Sequence, residues 1–565
     1  MKNPIDLLQT TIEDERYLLS GYEKPSEALT FETLRAIDFT FCRELIPELQ
    51  HLKDSERQME NIRKHAINAA LQKVLPTKLK PDVPKLFASN PRTAEQTDEF
   101  LVRMGYLTIA EKQLNLLRSG ALKAEIDQRK LRGKTLLLLS IDNTTAYREQ
   151  VGLEGLNWLS DMTVVQDRQQ EEALELRHME VLPDLVKYLR SNRSPEELPF
   201  DGVDEYFREW AALYLRRISF RDMLDDNDQF GGRPYAAYIE VLEALSAMSQ
   251  QRLCYAGLRN ADDPRIGIRN LFTGGALLKD LVRGVANFLQ KTQEDVSEIL
   301  GHLTLSPDNS NYHLNSGVPA LAPVVRTSRD FVVLPMYGLE LNPFPFLWKE
   351  LHRRYEKEWF EAANRRELRW ISELMNQFIY PRWICSGGVN IKQDGRVVTD
   401  IDFVAYDTNC NSLIFFQLKW QQPFMNDEKL RRNNASSLVR DSNRWVLAVS
   451  NWIASVGLNG VKERLSIKSD EDPSIHLIVL GRYHAHYTAA EDHDTRAVWC
   501  DWGNFLRQRT INPKASAVEF VIILRESVEQ AIAQVEPESF FFPLGDIIVL
   551  VNPKIATPKK NYTKK

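Results

Sequence analysis

Cysteine is scarce in this chain. Only five occur in 565 residues (Cys42, Cys254, Cys385, Cys410 and Cys500), and no two form a Cys-x-x-Cys pair. That usage excludes a zinc-finger site and fits reduced thiols in a cytoplasmic protein. Apolar runs long enough to span a bilayer are missing, and Met1 to Glu15 is too polar for a secretory signal, so a soluble cytoplasmic chain with no membrane partner is expected. Phosphate-loop chemistry is missing too: Gly231-Gly232 and Gly274-Gly275 lack the Gly-Lys-Ser/Thr of an ATPase loop. No repeat of fixed period appears, which leaves a regular solenoid unsupported. Asp225-Asp226-Asn227-Asp228 begins like a calcium loop but lacks its glycine and terminal glutamate, and reads as an exposed acidic turn. His484, His486, His493 and Asp494 read as structural or solvated side chains before they read as a metal cluster.

What is present suggests two or three domains with ordinary cores, since 43% of the residues are hydrophobic. The net charge of −6 is unevenly spread. Residues 351–565 carry 29 Lys and Arg against 26 Asp and Glu, whereas the first 350 carry 43 against 52. The C-terminal half is thus the more basic, and Lys554, Lys559, Lys560, Lys564 and Lys565 add a basic tail over 551–565. Helical periodicity marks Phe31–Leu75, Thr93–Arg132, Asp167–Arg190, Asp204–Arg216, Pro234–Met248 and Leu277–Leu289, with short strands at Thr135–Ile141 and Phe331–Tyr337. The expectation is a mainly helical region over 1–318, with a regulatory or recognition role. Pro319, Pro323, Pro335, Pro343 and Pro345 then predict a linker over 319–349.

The most informative stretch is Thr399-Asp400-Ile401-Asp402-Phe403-Val404-Ala405, followed by Phe415-Phe416-Gln417-Leu418-Lys419-Trp420. Both pieces read as buried strands, rich in Ile, Phe, Val and Leu. Buried strands seldom carry charge, because an unpaired ion in a dry core costs several kcal/mol or changes its protonation state. Side chains alternate across a strand, so Asp400 and Asp402 share one face, and Gln417 and Lys419 share another. A hairpin through Asn409-Cys410-Asn411-Ser412 would bring those faces together at the end of a sheet. Upstream, Glu356–Phe378 lacks Pro and Gly, and Trp359, Ala363, Trp370, Ile371, Leu374 and Phe378 fall on one helical stripe. Glu367 is placed within that stripe, with Glu373 as a second choice. Buried strands are expected at Ile475–Leu480 and Ala497–Trp499, with a helix around Trp445–Trp452.

This layout resembles the PD-(D/E)xK nuclease superfamily, the restriction-endonuclease-like fold, over roughly residues 350–510. The family core has an acid on a first helix, an Asp on a strand and an (E/Q)-x-K tripeptide on the neighbouring strand. Asp402 matches the Asp, Gln417-Leu418-Lys419 the tripeptide in its less common glutamine form, and Glu367 the helical acid. The resemblance implies an α+β or α/β chain: a largely helical N-terminal region, then a restriction-endonuclease-like mixed sheet flanked by helices over 350–550. It also implies metal-dependent phosphodiester hydrolysis, with Mg²⁺ or Mn²⁺ held by Asp402, a Gln417 oxygen, Glu367 and Asp400, as suits hard oxygen donors. Lys419 would orient water or stabilise developing charge. Glutamine in place of glutamate removes one negative charge and puts more weight on Glu367.

DNA is the substrate the resemblance favours, with a role in restriction or anti-phage defence. Two other readings remain: a catalytically inactive scaffold that binds nucleic acid or protein, and an RNA nuclease or toxin, with Trp383, Phe415 and Trp420 available for stacking. Phe415 reads better as core. Lys429, Arg431, Arg432 and Arg440 could contact phosphates, although basic residues on a surface helix are more often solvated. A homodimer, or a regulatory protein partner bound through the helical region, completes the expectations.

Overall fold

The computed structural model describes residues 3–20, 27–46, 51, 53–81, 88–141, 149–191, 201–218, 223–263, 265–393, 396–421, 428–487, 492–534 and 539–552. The basic tail from Pro553 onward lies outside them. Helices and several sheets alternate along the chain, and no helix among the described residues is long and apolar enough to cross a membrane.

The candidate region is built on a five-stranded sheet. From one edge the order is Ala497–Asp501, Ser474–Gly481, Ser412–Lys419, Arg396–Asp407, Trp383–Gln393. The three strands earliest in sequence pair antiparallel, and the two later ones add in parallel. The apolar runs explain this: a strand such as Ser412–Lys419, with neighbours on both sides, is buried on both faces. One face packs Phe403, Ile414, Phe416, Ile478 and Val498 against the helices Glu356–Met375, Trp502–Ile511 and Ala517–Gln534. The other packs Val404, Phe415, Leu477 and Val479 against the helix Asp441–Leu465 through Trp445, Val446, Val449 and Trp452. Phe415 is fully buried, which places it in the core.

The N-terminal half is mainly helical but carries sheets of its own. The segment expected to continue a helix to Arg132 breaks after Arg118. Gly120, at φ +76°, ends the turn, and Leu122–Leu131 then pairs antiparallel with Lys134–Ile141. That hairpin recruits the C-terminus: Ile547–Val551 adds in parallel to Lys134–Ile141, and Phe540–Leu544 follows it. The expected boundary of the C-terminal domain at residue 550 is therefore corrected, because 540–551 belongs to the N-terminal sheet.

The linker over 319–349 is also corrected. Val324–Arg326 and Phe331–Leu334 are strands of a second sheet, and Val324, Val325, Val332 and Val333 are fully buried. Pro323 and Pro335 flank these strands, and Pro343 and Pro345 sit at the start of the helix Phe344–Arg354, where a missing N–H costs nothing. The acidic turn is likewise not exposed throughout. Asp228 is buried and accepts from Arg365 Nε at 2.8 Å, while Arg369 lies beside Asp225 and Asp228. This ties the N-terminal half to the helix that leads into the sheet. A second tie is the helix Glu149–Gln166. A Cβ at Gly155 would lie 2.1 Å from Asp501 Oδ1, and one at Gly503 would lie 2.3 Å from the Gly155 carbonyl oxygen.

Candidate active site

The antiparallel ladder between Arg396–Asp407 and Ser412–Lys419 starts at Asp407 opposite Ser412 and ends at Phe403 opposite Phe416. Asn411, at φ +46°, makes the turn, a conformation asparagine tolerates better than most residues. Beyond the last rung, Asp402 and Gln417 come next on the two strands. Their side chains replace the missing main-chain pairing. Asp402 Oδ2 accepts from the Leu418 N–H at 2.6 Å and from Gln417 Nε2 at 2.5 Å. The juxtaposition expected from strand alternation is therefore present.

Asp402 is 9% exposed and Gln417 7%, whereas Lys419 is half-buried at the strand end. Burial is the largest influence on Asp402 and pushes its carboxyl up to about 6. The Leu418 N–H opposes that rise, the charges of Asp400 and Glu367 add to it, and Lys419 again opposes it. So three carboxylates and one ammonium share a field here, with Asp402 at its buried end.

Two candidate ligands sit differently from expectation. Glu367 is exposed and outside the core-facing stripe, which runs Trp359, Ala362, Arg366, Trp370, Leu374. Arg366 takes the buried place because its guanidinium lies 4.6 Å from the centre of the Trp420 ring. Asp400 is exposed as well, and its main-chain oxygen accepts from Trp445 Nε1 at 2.6 Å. Among the described residues no three His, Cys, Asp or Glu side chains are grouped closely enough to hold a metal ion. The pre-formed oxygen set is Asp402 and the Gln417 amide, with Glu367 and Asp400 near enough to act through their charge.

The basic residues have mixed placements. Arg432 Nη2 donates to Ser119 Oγ at 2.5 Å, so it joins the two halves of the chain. Arg440 Nε lies 3.5 Å from Asp441 and is half exposed. Arg431 is half-buried, and the Lys429 side chain lies outside the described residues. The ring centres of buried His486 and half-buried His493 lie 4.9 Å apart, and His493 packs edge-on against Trp499, so these histidines serve packing.

Arg482 was not among the sequence candidates, and Trp420 was one only for stacking on nucleic acid. Arg482 is buried, donates to Glu373 at 2.6 Å and packs among the rings of Trp370, Trp420 and Trp502. Its N–H donates to the Lys419 carbonyl at 3.0 Å. Trp420 is thereby flanked by two guanidinium groups directly after Lys419. The signal available was an arginine immediately after the apolar run that ends at Gly481, the same kind of anomaly as Gln417 and Lys419. Comparison of the chain with protein-family models, with curated proteins and with solved structures finds no match.

Proposed function

We propose that this chain is a metal-dependent nuclease of the PD-(D/E)xK kind that hydrolyses phosphodiester bonds in nucleic acid, with DNA as the favoured substrate. One observation carries the reading: Asp402, Gln417 and Lys419 converge where two central strands stop pairing, with Asp402 anchored by the Leu418 N–H. The mixed five-stranded sheet between helical layers supports it, as does the charge of Glu367, on the helix Glu356–Met375, acting on Asp402.

The residues present fit a hard divalent cation. Burial first, and then the charges of Asp400 and Glu367, raise the proton affinity of Asp402, and a cation would relieve that repulsion. Asp402 and the Gln417 Oε1 atom, left unused when Nε2 donates to Asp402, would hold Mg²⁺ or Mn²⁺, with Glu367 and Asp400 closing from the exposed side. When bound, the ion supplies Lewis-acid polarisation of the phosphate and a more acidic water. Lys419 orients the attacking water or stabilises charge on the phosphoryl oxygens. Gln417 holds the Asp402 carboxylate in place, and the Arg482–Trp420 packing fixes the backbone of Lys419.

A second reading is a nucleic-acid-binding scaffold without chemistry. It draws on the exposure of Glu367 and on the lack, among the described residues, of a three-carboxylate group at metal distance. The two readings separate when purified protein is incubated with plasmid, single-stranded DNA and single-stranded RNA in Mg²⁺ or Mn²⁺, beside Asp402→Ala and Lys419→Ala. Cleavage that disappears in both variants supports the nuclease. Nucleic-acid binding without cleavage, and without metal affinity sensitive to Asp402, supports the scaffold. A role in anti-phage defence, with the helical half sensing a signal or partner and a homodimer cutting both strands, is part of the same proposal.

A further inference from the structure

The strand Arg396–Asp407 runs past the sheet it belongs to. Its pairing with Ser412–Lys419 stops at Phe403, while its pairing with Trp383–Gln393 continues out to Arg396. From Asp402 outward the two strands therefore form a ribbon, and Asp402 stands in the fork where that ribbon leaves the sheet. The helix Asp441–Leu465 braces one side of it. Val389, Ile391 and Ile401 pack into the core that this helix covers, Trp445 Nε1 donates to the Asp400 carbonyl at 2.6 Å, and Arg464 Nη2 donates to the Asn390 carbonyl at 2.6 Å. A two-stranded hairpin is marginal by itself, so this bracing is what holds the ribbon out.

The outer part of the ribbon differs from the rest of the sheet. A β-bulge falls between Val397 and Thr399, a device that re-aims side chains. Val397 is 57% exposed and Val398 47%, whereas Val404, Val479 and Val498 in the paired part are buried. Lys392, across from Val397, and Arg396 are exposed as well, and among the described residues neither has an ion-pair partner. The acid described on this stretch is Asp400, at its root beside the candidate site. Two apolar side chains in solvent between two cations gain nothing for the fold; such a surface marks contact with another molecule.

We infer that this ribbon enters the major groove of a duplex held at Asp402, which rests on the nuclease reading and narrows its substrate to double-stranded DNA. Two strands about 4.8 Å apart, with their side chains, match a groove about 12 Å wide and overfill the minor groove, at about 6 Å. Val397 precedes Asp402 by five residues, about 16 Å at 3.3 Å per residue, a span of about five base-pair steps. The groove beside the cut is therefore within reach. Lys392 and Arg396 meet phosphates on its rims, and the valines meet thymine methyl groups on its floor. A second copy of this chain fits worse, because a two-fold contact would set Lys392 and Arg396 of each copy near those of the other.

The test uses the full-length protein, a fluorescein-labelled DNA duplex of about three helical turns and its single strand, with Ca²⁺ as the cation so that binding is read apart from cutting. Anisotropy titrations compare wild type with the double variants Val397→Ser/Val398→Ser and Lys392→Ala/Arg396→Ala, and plasmid cleavage in Mg²⁺ is run beside them. All four positions are exposed, circular dichroism checks each fold, and the two variants are read independently. The expected result is duplex binding at least tenfold tighter than single-strand binding, weakened about tenfold by each variant, with single-strand affinity changed less than about threefold. The charge variant should also lower the slope of log affinity against log salt by about two. Equal affinity of wild type for duplex and single strand, or unchanged duplex affinity in either variant that folds, overturns the groove contact, while plasmid cleavage leaves the nuclease reading standing. Neither binding nor cleavage by wild type overturns both. A valine variant that changes the sedimentation coefficient and leaves duplex affinity alone assigns the ribbon to a second copy instead.

Discussion

Gln417 Nε2 lies 2.5 Å from Asp402 Oδ2, across the first position at which their two strands no longer pair. In the family that the proposed function invokes this position is usually a second carboxylate; in this chain Gln417 donates to Asp402 instead. Gln417→Glu therefore places a fourth carboxylate in a field that already holds three. Its thermal midpoint without metal should fall by several degrees and recover with millimolar Mg²⁺ by more than wild type gains, by the mass action of a ligand that binds only the folded state. Differential scanning calorimetry with and without Mg²⁺ checks this; an unchanged midpoint without metal argues against the crowding of charge.

The Asp402 carboxyl titrates at about 6 in the folded protein against an ordinary value of 3.8, chiefly through burial. The folded state thus holds a proton that the unfolded chain has lost, and stability falls as pH rises between these values, by up to about 3 kcal/mol. Asp402→Asn should abolish that slope. A metal must displace the proton, so affinity for Mn²⁺ should climb about tenfold per pH unit below 6 and level off above it. Denaturant melts and calorimetric titrations from pH 4.5 to 8 read both effects.

Lys419→Ala should reduce cleavage by about 10²–10³-fold, the usual cost of removing one group that stabilises developing charge. Metal affinity should change far less than in Asp402→Ala. Loss of metal binding in Lys419→Ala would instead assign the lysine to the architecture of the site.

Gly155→Ala tests the joint between the halves. Its new methyl would lie 2.1 Å from Asp501 Oδ1, so the helix Glu149–Gln166 has to move. Overpacking of this kind costs about 1–3 kcal/mol. Limited proteolysis should release the 149–166 helix earlier in the variant than in wild type.

Arg482→Leu removes a buried guanidinium from among three tryptophans and from Glu373. A stability loss of about 2 kcal/mol is expected from the ring contacts and the ion pair together. Cleavage should fall with it, since the substitution removes the guanidinium packed on the Trp420 ring next to Lys419, although the main-chain N–H to the Lys419 carbonyl stays. Nuclease activity that survives at full rate in a destabilised protein would leave Arg482 a structural role only.

The strand chemistry was legible from residue order alone. Asp402, Gln417 and Lys419 stand out because side chains alternate every second residue and buried strands exclude charge; no distant contact is needed to place them. The helix was less legible. Positions 366 and 367 differ by about 100° around the axis, near the edge of any apolar stripe, and Arg366 turned inward because its guanidinium packs over the Trp420 ring. Glu367 was left in solvent. Asp228 was misread for a related reason: its partners, Arg365 and Arg369, lie more than a hundred residues away.

Local pattern by itself determined the hairpin at Asp407–Ser412, the two flanking apolar strands and most of the helices, because each rests on periodicity within a few turns. Tertiary structure alone decided where the chain's ends meet. Lys134 Nζ donates to the Gly545 carbonyl at 2.6 Å, and Ile547–Val551 completes a sheet begun by Lys134–Ile141 some 400 residues earlier. A strand carries no mark of its partner, since main-chain donors and acceptors are the same in every residue. The burial of both apolar runs in one core with the N-terminal helices selects this pairing.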